Sequence, residues 1–119
     1  MNQADYVRAV LTAYRHTPTT SGRVHRQDRL MAAELFRRGV PLTVAENALV
    51  LGASRRLYRD LNAPPLTPVR SLNYFSSIIE EVLTLKISPG YFDYLRYKIQ
   101  HFDQAKQRFL ASQKTEISE

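Results

Sequence analysis

Four interruptions rich in proline and glycine most constrain what this chain can fold into. They are Thr17-Pro18-Thr19-Thr20-Ser21-Gly22, Gly39-Val40-Pro41, Asn62-Ala63-Pro64-Pro65-Leu66-Thr67-Pro68 and Ser88-Pro89-Gly90. Regular hydrogen bonding stops at such places, because proline has no amide hydrogen and disfavours helix in the residue before it. Between them lie five stretches with helical periodicity, and none with sustained strand-like alternation. The chain is therefore predicted to be all-α, a single compact domain of about five helices over residues 1–112, followed by a flexible tail at 113–119. Its 119 residues suffice for one core, and two domains would each be very small.

The periodicity predicts which faces turn inward. In the first segment, Gln3 to His16, the inner face holds Tyr6, Val7, Val10, Ala13 and Tyr14. The second, Arg26 to Arg38, turns Leu30, Ala33, Leu35 and Phe36 to the core and ends at Gly39, where a positive φ is available. The third, Leu42 to Arg59, carries a narrow small-residue face of Val44, Ala45, Ala48, Leu49 and Gly52 that allows a close helix crossing. Ser71 is the expected cap of the fourth, with Leu72, Phe75, Ile78, Ile79, Val82 and Leu83 as its core stripe. Ser88 and Pro89 start the fifth, expected to reach Ser112 as the longest rod, about 35 Å at about 1.5 Å per residue. Its stripe of Phe92, Leu95, Ile99, Phe102, Phe109 and Leu110 is interrupted at Lys106.

Charge narrows the class of partner. There are 17 basic and 11 acidic residues, a net charge of +6. The excess lies in residues 1–60, which hold ten arginines and no lysine against five acids, a net of +5, while the remainder carries +1. Guanidinium groups pair with phosphate oxygens in bidentate fashion, so an all-arginine half favours phosphate contact, with a coding bias for arginine over lysine as the other account of the excess. Arg23, Arg26 and Arg29 lead into the second helix, Arg37 and Arg38 leave it, and Arg55, Arg56 and Arg59 close the third. These eight are the candidate nucleic-acid-binding residues, and neutralising about six phosphates predicts a log–log salt slope near −5. For Arg55, Arg56 and Arg59 a second account stays open, that cations favour a helix C-terminus.

The usual signs of catalysis are missing. With no cysteine, thiolate zinc sites, iron–sulfur clusters and cysteine nucleophiles are excluded. The glycines are isolated, so no phosphate-cradling loop exists. Gly52-Ala53-Ser54-Arg55-Arg56 lacks the last glycine of a nucleophile elbow. His16, His25 and His101 have no metal-ligand spacing, and the adjacent Glu80 and Glu81 point about 100° apart on a helix. A non-enzymatic chain without cofactor or metal is the expectation. No apolar run is long enough to cross a membrane and Met1-Asn2-Gln3-Ala4-Asp5 lacks the pattern of a signal peptide, so a cytoplasmic location is expected.

Two further patterns concern binding. Leu30 to Arg59 reads as two helices joined by Gly39-Val40-Pro41-Leu42, a joint short enough for a helix-turn-helix or for plain hairpin packing. In the former, Thr43, Glu46 and Asn47 would lead the reading helix, with no arginine among them. Tyr94, Tyr97 and His101 lie on the side of the fifth helix away from its apolar stripe, as a surface for a partner or a second copy, or for stacking single-stranded bases beside Lys98.

The run Arg70-Ser71-Leu72-Asn73-Tyr74-Phe75-Ser76-Ser77-Ile78, following a helix and a loop, resembles the C-terminal domain of DnaD-like primosome proteins. There a helix carries tyrosine, isoleucine and tryptophan at four-residue steps. Here the steps fall on Tyr74, Ile78 and Val82, valine standing where the family has tryptophan, and the similarity spans about Val40 to Leu85. The resemblance implies a small helical replication-initiation module that binds DNA and self-associates without enzymatic activity.

Overall fold

A computed structural model describes residues 1–59, 62–64, 66–102, 104, 107, 108 and 111. The fold is all-α: α1 Gln3–His16, α2 Arg26–Arg37, α3 Leu42–Leu57, a 3₁₀ turn at Leu72–Phe75 that runs into α4 Ser76–Thr84, and α5 Pro89–Gln100. Several boundaries have a local cause. Asn2 accepts the Asp5 amide at 2.8 Å, Ser71 accepts that of Asn73 at 3.1 Å, and Ser88 accepts that of Gly90 at 3.3 Å ahead of Pro89. Such caps are each worth about 1 kcal/mol. Gly39 stops α2 with φ of 75°.

The helix α3 is the hub, packing against α1, α4 and α5, while α2 lies on α1 and on the 3₁₀ turn. The core stripe of α1 is Tyr6, Val10, Leu11 and Tyr14, the last wholly buried with its ring edge-on to Phe75 at 6.3 Å between centroids. Gly52 provides the close crossing that the small-residue face of α3 predicts. A Cβ there would stand 2.6 Å from Phe75 Cε1 and 2.9 Å from Ile78 Cδ1.

Three expectations need correction. Leu30 is 53% exposed, because α2 turns Asp28, Ala32 and Leu35 inward instead. Asp28 is the reason: its two carboxylate oxygens accept the amides of His25, at 2.8 Å, and of Leu72, at 2.9 Å. A polar residue thereby occupies the inner stripe and rotates the apolar face by about one position. Leu83 is 39% exposed, at the end of α4. The long fifth rod is the third correction: α5 spans 12 residues and is capped by His101, so the 16-residue α3 is the longest helix among the described residues. Residues 102, 104, 107, 108 and 111 are again helical. Lys106, Phe109, Leu110, the end at Ser112 and the tail at 113–119 lie outside the described residues.

The short joint between α2 and α3 is present at Arg38–Pro41. The two helices nonetheless find their main packing partners elsewhere. Of the three residues that would lead a reading helix, Thr43 is exposed, Asn47 accepts from Arg96 Nη2 at 2.7 Å, and Glu46 is half-buried.

Candidate functional site

The eight arginines divide by what occupies them. Arg37 pairs with Glu34 one turn before it at 3.3 Å. Arg38 reaches across to Glu80 at 2.6 Å, and Arg55 forks onto both oxygens of Glu81, one arm at 2.8 Å. Glu80 and Glu81 thus diverge as their adjacency requires, each to its own guanidinium. The hydrogen bond from Arg55 holds the Glu81 carboxyl below the usual carboxylate range and raises the guanidinium's own pKa.

Arg56 and Arg59 hold chain rather than acid. Arg56 donates Nε to Thr19 Oγ1 at 3.1 Å and another nitrogen to the Thr67 carbonyl, with its guanidinium 5.2 Å from the centre of the Tyr74 ring. Arg59 donates to the Pro64 carbonyl. The end of α3 therefore staples the proline-rich connector, whose carbonyls have no helix of their own to bond. This is more specific than the favourable placement of cations at a helix C-terminus.

Arg23, Arg26 and Arg29 remain. All three are exposed, and none has an ion pair or a side-chain hydrogen bond among the described residues. Arg26 and Arg29 share a face of α2 at a spacing of three. Arg70 comes to the same end of the molecule. The loop before α2 bonds to the connector through Val69 N to Thr19 O at 2.7 Å and Ser21 N to Val69 O at 2.8 Å, and Asp28 holds Leu72. Arg70 is exposed and likewise unpaired among the described residues. Sequence reasoning missed it because nothing local marks it; its place depends on a parallel bridge between Thr20 and Val69, 49 residues apart.

The aromatic face of α5 is a separate surface. Tyr94 is 54% and Tyr97 59% exposed. The Tyr97 and His101 rings lie 4.2 Å apart at 30°, and His101 Nδ1 bonds the Tyr97 carbonyl at 2.8 Å. The Lys98 ammonium sits over Tyr58 at 4.1 Å and nearer one side of Tyr94 at 5.5 Å. Tyr91, also exposed, extends the row by one turn.

Among the described residues no three histidine, aspartate or glutamate side chains gather in a way that would hold a metal ion. No helix of the described residues is long and apolar enough to cross a membrane. Tyr74, Ile78 and Val82, which carry the DnaD-like resemblance, are respectively exposed beside Arg56, half-buried and buried. Compared with protein-family models, curated proteins and solved structures, the chain matches none.

Proposed function

We propose that this chain is a non-enzymatic nucleic-acid-binding module that contacts the phosphate backbone of DNA. The observation that carries this reading is the set of guanidinium groups, Arg23, Arg26, Arg29 and Arg70, that lie around the start of α2 without a partner among the described residues. An arginine that supports the fold has found its acceptor in the folded chain, as Arg38, Arg55 and Arg56 have. One held on a well-packed helix without an acceptor keeps its donors for an external anion. The DnaD-like resemblance over residues 40–85 favours a place in replication initiation over transcriptional control, and such a role belongs in the cytoplasm.

Fluorescence anisotropy with a labelled duplex and a labelled single strand, titrated against salt, tests this. Binding at about 50 mM salt with a log–log slope near −3.6 is expected if four phosphates are neutralised at about 0.9 each. Converting Arg23, Arg26, Arg29 and Arg70 together to glutamine should remove most of it. No binding to either strand form at that salt, or an unchanged quadruple variant, overturns the proposal.

A second reading, self-association or a protein partner, is favoured by the exposed Tyr94 and Tyr97 with the half-buried His101 beside them. Light scattering decides it: a monomeric mass unchanged between the wild type and Tyr94→Ala/Tyr97→Ala excludes self-association through this face.

A further inference from the structure

We propose that the cleft between α1, α3 and α5 binds a small zwitterion with an apolar arm, a molecule of the aliphatic α-amino acid class. The cleft has a volume of about 280 Å³, close to the lower end of small-molecule sites and ample for a molecule of fewer than ten heavy atoms. One wall, from Leu49, Val50 and Ala53 of α3, is apolar. The polar part of the lining includes Glu46 from α3, Arg96 from α5 and His16 from the end of α1, beside Thr17 and Gln100.

The charges are arranged in an unusual way. Glu46 is half-buried and forms no ion pair or side-chain hydrogen bond among the described residues, although Arg96 lines the same cleft. The two stand more than 4.0 Å apart, since no ion pair joins them. Arg96 is held back by Asn47, whose Oδ1 accepts from Nη2 at 2.7 Å, and by Asp93 at 3.4 Å. Opposite charges in one cleft that are kept from closing on each other present two complementary sites with a gap between. A ligand with an ammonium for Glu46 and a carboxylate for Arg96 satisfies both, and its apolar arm covers Leu49, Val50 and Ala53. His16 lies beside them, with Nδ1 engaged by the Thr12 carbonyl at 2.9 Å and Nε2 outside that bond. A purely cationic ligand would forgo the added contact to Arg96, and a purely anionic one would meet Glu46.

The test is titration of the ¹⁵N-labelled full chain with leucine, 3-methylbutylamine and 4-methylpentanoate, which share one apolar arm and differ in charge. Leucine should give saturable shifts at amides around Glu46, Ala53 and Arg96, with a Kd on the order of 1 mM for so small a ligand. The amine and the acid should each bind at least about tenfold more weakly, because each lacks one of the two charged contacts that leucine makes. Glu46→Gln breaks no hydrogen bond or ion pair among the described residues, so it should fold normally and lose about tenfold in leucine affinity. No saturable shift with leucine up to about 20 mM, equal binding of the amine or the acid, or full affinity in Glu46→Gln would overturn the proposal. Nucleic-acid affinity is read separately and does not enter this result.

Discussion

The arginines at the start of α2 and those at the end of α3 are the same residue type at comparable density, yet the fold uses them differently. Arg55, Arg56 and Arg59 are taken up by Glu81 and by the carbonyls and hydroxyl of two loops. Arg23, Arg26 and Arg29 stand free among the described residues. The cause is what lies opposite. The end of α3 faces α4 with its carboxylate pair and a proline-rich connector whose Pro64 and Thr67 carbonyls accept from it, whereas Asp28, the acid in the first turn of α2, is buried and has both oxygens occupied by amides. Positive charge in the sequence is therefore a poor guide to function until its acceptors within the fold are subtracted.

The strongest way to break this contrast is to remove the support that both ends share. Asp28→Ala should cost about 3–4 kcal/mol in urea denaturation, because it strips two charge-assisted bonds and strands the buried Leu72 amide. The loop that brings Arg70 toward Arg23 and Arg26 would loosen with it. Gly52→Ala should cost about 2–3 kcal/mol by driving a methyl group into Phe75 and Ile78, and so shift the α4 face that receives Arg55. Arg56→Ala should cost about 1–2 kcal/mol and raise hydrogen exchange at Val69 and Ser21, with nucleic-acid affinity nearly unchanged. Arg26→Gln/Arg29→Gln should shift stability by less than about 0.5 kcal/mol. A large loss there would mean these two are structural after all, and the contrast would fail.

The smallest effect concerns pH. The carboxyl of Glu81 titrates below its ordinary value in the folded chain because Arg55 hydrogen-bonds to the charged form. A group depressed in this way adds stability that is present above its unfolded pKa, about 4.3, and is lost as pH falls through the folded value. Midpoints of urea unfolding measured between about pH 6 and pH 3 should fall slightly more for the wild type than for Glu81→Gln. Added salt of about 1 M should shrink the difference, since the pair lies at the surface.

Much of the fold could be read from the sequence where the cause is local. Ser71, Ser88 with Pro89, and Gly39 mark boundaries that α2, α4 and α5 respect to within a few residues. The Leu72–Phe75 segment forms a tighter turn than the expected helix start, a difference settled by packing of Leu72 and Phe75 into the core. Leu30 misleads because hydrophobicity alone favours it for the core, and only the distant Leu72 amide explains why Asp28 takes the inner stripe. The candidate sites are divided in the same way. Tyr94 and Tyr97 are exposed as their position opposite Phe92 and Leu95 predicts. Glu46, His16 and Arg96 are 30 to 80 residues apart in sequence and give no local sign that they line one cleft.

Helix positions, their caps, the all-α class and the arginine-rich front half follow from sequence alone, because they rest on φ preferences, 3.6-residue periodicity and composition, which act within a turn or two. Which arginines keep their donors, which carboxylate goes inward and which charges share a cleft were decided only in three dimensions. Each depends on an acceptor or a wall contributed by a remote segment, and no local rule of spacing can locate that.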